Sequence, residues 1–122
     1  MKRTLILLSG LCLALTTPAM SETLTMKATN ATGTKVMVKF FSSDRKNHMW
    51  PSSTSHFPVN VGQSANFKIS CNKNEKICYG AKRDNNSNSY WGVGWDGKKC
   101  TSCCYTCNNG SFNVRFTNSA GS

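Results

Sequence analysis

Four cysteines fall inside the stretch KKCTSCCYTCNNGS, at Cys100, Cys103, Cys104 and Cys107. Thiolates at C-x-x-C spacing can ligate zinc, cycle as a redox dithiol, or close into structural disulfides. A zinc site built from two such knuckles separates them by roughly 15–20 residues, whereas these two pairs abut. Adjacent Cys103 and Cys104 tend to point apart, which disfavours tetrahedral closure on one ion. A redox C-x-x-C draws its low thiolate pKa from a helix N-terminus in a βαβ setting. Neither Thr101–Ser102 nor Tyr105–Thr106 lies in such a context. Structural disulfides are the expected use, joined by Cys71 and Cys78 upstream.

Two other groups have chemistry-bearing residue types. Asp44, His48 and His56 share one Ser-rich loop and define a hydrolase alternative. Acid–base catalysis needs such groups held within hydrogen-bond reach by a rigid scaffold, and a loop of this composition does not supply one. No G-x-S-x-G, H-E-x-x-H or paired-carboxylate pattern occurs, so the expectation is a protein that is not an enzyme. The run DNNSNS places Asp84, Asn86 and Asn88 at the first, third and fifth positions of a calcium loop. Ser89 and Trp95 then stand where that loop requires glycine and glutamate. It reads as a polar turn, and neither metal nor cofactor is expected.

A more informative constellation is aromatic and basic. SYWGVGWDGKK sets Tyr90, Trp91 and Trp95 around glycines and follows them with Lys98 and Lys99, and Trp50 precedes Pro51 in the long loop. Aromatic rings at loop tips with surplus cations suit a glycan, a protein or an anionic membrane surface. They also suit single-stranded nucleic acid, which export places last. Trp50, Tyr90, Trp91, Trp95, Lys98 and Lys99 are the binding candidates.

Export is read from the start of the chain. Lys2 and Arg3 precede an apolar run from Leu5 to Leu15 and small residues at Ala19 and Ser21. This is the layout of a signal peptide over residues 1–21, cleaved after Ser21 or alternatively after Ala19, with one domain over 22–122. Acylation at Cys12 is the rival, and Leu11 stands where a small residue is expected. Loss of Lys2, Arg3 and Cys12 leaves thirteen Lys or Arg against five Asp or Glu, a charge near +8, and an even six cysteines. A short, basic, exported chain with paired cysteines is a disulfide framework in the periplasm or outside the cell. No later apolar run reaches membrane-spanning length.

The elements that must position these residues are strands. After Leu24 the apolar content comes from Val, Ile and aromatics, which suit pleated surfaces. Period-two alternation groups Leu24, Met26 and Ala28; Val36, Val38 and Phe40; Phe67, Ile69 and Cys71; Ile77, Tyr79 and Ala81; and Phe112, Val114 and Phe116. Lys39, Lys68, Lys82 and Arg115 fall on the opposite faces and predict a basic outer surface. NATG at 30–33 and NKNE at 72–75 read as hairpin turns, and Ser42–His56 as the longest loop. The fold class is all-β, a small antiparallel β-sandwich or open barrel stapled by disulfides. Six cysteines admit fifteen pairings. The NKNE hairpin favours Cys71–Cys78, with two bridges inside the cluster.

The ordered motifs EKICYGA, YWGVG and CTSCCYTC, with NATG and MWP before them, resemble a family of small exported bacterial proteins. The resemblance spans most of residues 24–118 and implies one exported domain, with no activity or functional residues attached. In strand order and Trp-rich loop the chain is also similar to membrane-lytic β-sandwiches of the aegerolysin and actinoporin kind. The functional expectation is a non-enzymatic module that recognises an envelope component, glycan or protein through the 42–56 and 84–97 loops. A cationic membrane-active toxin or defence protein is the alternative.

Overall fold

Alternating strands with few leucines fold into two sheets that share one core. The computed structural model describes residues 21–119. Residues 1–20, on which all but the last residue of the expected signal peptide (1–21) falls, lie outside it. Nine strands occur in the order β1 (Ser21–Asn30), β2 (Val36–Ser42), β3 (Met49–Trp50), β4 (Phe57–Val59), β5 (Ser64–Asn72), β6 (Lys76–Arg83), β7 (Asn86–Gly92), β8 (Cys104–Thr106) and β9 (Gly110–Phe116). No helix is found among the described residues, so the all-β expectation is met.

One sheet has the order β5-β1-β9. The other runs β3-β2-β6-β7, with β4 also on β2 and β8 on β6. Met26 and Ala28 of β1, Ile69 of β5 and Phe116 of β9 face Val38 and Phe40 of β2 and Ile77 and Ala81 of β6 in a single buried cluster. These are the side chains that period-two alternation places inward.

Several local expectations are corrected. NATG does not close a hairpin, because β1 and β2 belong to different sheets. Its Asn30 is fully buried: Nδ2 donates to the carbonyls of Thr34 and Val59, and Oδ1 accepts from the amide and hydroxyl of Thr32. The side chain thereby replaces the sheet bonds lost where the chain crosses over. NKNE likewise carries the chain from β5 in one sheet to β6 in the other. Antiparallel pairing also fails at one place, since β9 lies parallel to β1. Hairpin reasoning supplies only antiparallel neighbours, and a strand arriving from far along the chain is free of that constraint.

The sheet crossing at 72–75 also overturns the Cys71–Cys78 pairing. Cys71 bridges to Cys107, Cys78 to Cys104, and only Cys100–Cys103 closes within the cluster. Cys78 and Cys104 are direct partners in the β6–β8 ladder, while Cys71–Cys107 ties β5 to the segment after β8. Three disulfides suggest an oxidising environment.

The same crossover carries a buried carboxylate. Glu75 is 3% exposed and accepts hydrogen bonds from Arg45 Nε (2.7 Å) and Nη2 (2.8 Å), from the Ser42 hydroxyl and from the Asn72 amide (2.9 Å). Burial pushes this carboxyl upward. The hydrogen bonds from Arg45, Ser42 and Asn72, with the charge of Arg45, outweigh it and hold the pKa at about 2. The backbone of Glu75 bonds Cys107 as well, so one residue joins the 42–45 loop, the crossover and a disulfide.

Candidate functional site

The outer face of the six-stranded sheet carries Met37 and Lys39 on β2, Gly80 and Lys82 on β6, and Tyr90 and Gly92 on β7, since their neighbours in sequence point to the core. Met37 pairs with Lys82, Lys39 with Gly80, Lys82 with Tyr90 and Gly80 with Gly92. The long loop and the β7–β8 connection meet over this face. His56 lies beside the Trp95 ring at 6.1 Å between centroids, and Lys39 Nζ donates to the Ser53 carbonyl at 2.9 Å. Lys39 is consequently only 6% exposed. The expectation that it belongs to an open basic surface is corrected, because two loops roof it.

The turn carrying Trp95 is fastened by backbone bonds. Val93 N donates to Tyr79 O, Gly94 N to Trp91 O and Lys98 N to Val93 O. Gly80 permits the close approach: a Cβ there would lie 1.8 Å from the Gly94 carbonyl oxygen. Gly94 itself has φ near 61°, in the left-handed region that glycine enters without steric cost. Beyond the turn, the Tyr79 amide donates to the Cys103 carbonyl, and Cys104 is bridged to Cys78. The cysteine cluster therefore clamps the far end of the same turn to β6.

Between this turn and the sheet lies an open cleft of about 270 Å³, lined by Lys82, Tyr90, Gly94, Trp95, Asp96 and Lys98. Two ammonium groups sit over the Trp95 ring, Lys82 Nζ at 4.2 Å and Lys39 Nζ at 4.6 Å from its centroid, and Lys98 Nζ is 6.0 Å from that of Tyr90. Attraction to the ring quadrupole offsets part of the cost of gathering these cations. Burial, and then the charge of Lys82, lowers the pKa of Lys39. Among the described residues only Arg45–Glu75 and Lys35–Asp84 form ion pairs. Lys82 and Lys98, which line the cleft, and Lys39, which contacts the Trp95 ring without lining it, have no carboxylate partner. The indole N–H of Trp95 lies on the buried edge of its ring without an acceptor. The ring accordingly offers the cleft carbon surface.

The structure brings Tyr90, Trp95 and Lys98 together and separates the other candidates. Trp91 points inward at 7% exposure and packs on Phe116 at 5.1 Å, as its register opposite Ala81 requires. Trp50 sits on the core side of β3, pairs with Phe40 and donates its indole N–H to the Ser70 carbonyl on β5, linking the edges of the two sheets. Lys99 is exposed and is not a lining residue of the cleft. Lys39, Lys82 and Asp96 were not among the sequence candidates. A lysine alternating with buried residues in VMVKFF was the available signal for Lys39.

The hydrolase residues have separate attachments. Asp44 accepts the Lys76 amide, His48 packs edge-on against Trp50, and His56 lies beside Trp95. No cluster of three or more His, Cys, Asp or Glu suited to a metal ion occurs among the described residues.

Fold and site together define a disulfide-bonded, cysteine-rich all-β protein with an aromatic and cationic cleft on one sheet. Comparison with family models, with curated proteins and with solved structures finds no match.

Proposed function

We propose that this chain is an exported, non-enzymatic binding module whose ligand docks in the cleft beneath Trp95. The observation that carries this reading is Trp95 itself. Its ring is half-buried, held over a sheet by a fastened turn, and flanked by two ammonium groups. Nothing in the core requires that arrangement, since Trp91 already supplies the tryptophan that packs between the sheets. A preorganised ring with convergent polar groups is the usual character of a small-ligand site. Three disulfides and a leader-like start fit an exported protein. Cleavage after Ala19 would keep Ser21, the first residue of β1, in the mature chain.

The test is a glycan and envelope-component array probed with the oxidised protein and with Trp95→Ala. Retention that disappears in Trp95→Ala, while circular dichroism stays unchanged, supports the reading. Retention equal in both proteins removes the cleft from it.

The excess of positive charge supports a second reading, a membrane-active protein. Leakage from anionic but not neutral vesicles is its signature.

A further inference from the structure

We infer that the ligand of the cleft is an acidic saccharide, a sugar ring bearing a carboxylate or another single negative charge. This rests on the binding-module reading and names its ligand class.

Three features of the cleft select that chemistry. First, the positive charge is uncompensated. Lys39, Lys82 and Lys98 face the region around Trp95 and Tyr90, against the single carboxylate of Asp96, and no ion pair joins them. An arriving anion would meet the ammonium groups of Lys82 and Lys98, which line the cleft, with the enclosed charge of Lys39 adding a positive field at longer range. Second, the aromatic walls are flat carbon. Tyr90 and Trp95 both line the cleft, and with the Trp95 N–H buried what Trp95 presents there is ring carbon, which suits the C–H groups of a sugar. Third, Asp96 on the lining is a hydrogen-bond acceptor, which suits hydroxyl donors.

Size and surroundings narrow the class further. A volume of about 270 Å³ lies just below the usual span of ligand pockets, roughly 300–1,000 Å³, and suits no more than one ring-sized group at a chain end or branch. A lipid headgroup would supply a suitable charge, but docking on a bilayer calls for apolar side chains beside the site. Val61 is the one large hydrophobic residue more than half exposed among the described residues, and it does not line the cleft.

The experiment is calorimetric titration of the oxidised protein with sialyllactose, oligogalacturonate and hyaluronan fragments, each beside its methyl ester. Equimolar phosphatidylglycerol–phosphatidylcholine vesicles form a parallel arm. The expected result is that at least one acid binds and its ester binds at least about tenfold more weakly, the scale of one charge-assisted hydrogen bond. Lys82→Gln is expected to lose a similar factor, and Lys68→Gln, on the exposed face of β5, less than about twofold. An ester that binds as well as its acid overturns the acidic class and leaves the binding module standing. Equal losses in Lys68→Gln and Lys82→Gln overturn the cleft as the place of recognition. Vesicle binding with no saccharide binding overturns the inference in favour of a membrane ligand, and binding to none of the probes overturns it outright.

Discussion

The ammonium of Lys39 lies 4.6 Å from the centre of the Trp95 ring, joining the middle of β2 to a turn far along the chain. The contact exists because Gly80 leaves room for the Gly94 backbone on the outer face of β6. It also places a cation where solvent hardly reaches. A buried ammonium without a carboxylate partner lowers stability.

Replacing Lys39 by Met separates stability from binding. Loss of the enclosed charge is expected to raise unfolding free energy by about 1 kcal/mol while weakening anion binding. The pH dependence follows from the lowered pKa of Lys39. Between that lowered value and the ordinary 10.5 the unfolded chain binds more protons than the folded one, so stability rises with pH across this interval. Urea titrations at neutral and alkaline pH should show the rise in the wild type and a flatter profile in Lys39→Met.

Gly80→Ala tests the seating of the turn. The added methyl meets the Gly94 carbonyl, so the turn must lift, at a cost of about 1–3 kcal/mol. Ligand binding should fall sharply in a protein that still melts cooperatively. Unchanged affinity in this variant would show that the turn does not shape the site.

Glu75→Gln removes a carboxylate that accepts four hydrogen bonds and leaves Arg45 unpaired. A loss of about 2 kcal/mol at neutral pH is expected. Because the folded pKa is about 2 against an ordinary 4.5, the contribution of Glu75 is fully present above the ordinary value. It disappears as pH falls toward 2. Acid unfolding followed by circular dichroism should be steeper over that interval in the wild type than in the variant.

The disulfides should differ in weight. Cys71–Cys107 spans 36 positions and Cys100–Cys103 spans 3. In the chain-entropy account their removal costs about 4 and about 2 kcal/mol respectively. Paired Cys→Ser variants, compared by denaturant unfolding, should follow that order. The Cys100/Cys103 pair should lose ligand affinity out of proportion to stability, because Cys103 bonds the Tyr79 backbone that also holds the Trp95 turn.

Alternation was enough to read the inward faces: Leu24, Met26, Val38, Phe40, Ile69 and Phe116 are all buried in the shared core. Sheet membership was not legible, because a polar turn such as NKNE looks the same whether it closes a hairpin or crosses between sheets. The disulfide pairing failed with it. Tyr90, Trp95 and Lys98 were readable as candidates from composition beside glycines, whereas Lys39 and Lys82 join them only through sheet register and loop folding. Alternation could have assigned Trp91 inward had its pairing with Ala81 been known. The cysteine cluster that suggested chemistry is instead the clamp behind the aromatic turn.

Whether the ligand meets the Trp95 ring over the outer face of the six-stranded sheet can be read from an NMR titration of the three tryptophan indole N–H signals with an acidic oligosaccharide. The Trp95 signal is expected to shift in a saturable manner while those of Trp50 and Trp91, on the core side, stay in place. Saturable shifts at Trp50 or Trp91 with Trp95 unmoved would contradict that placement.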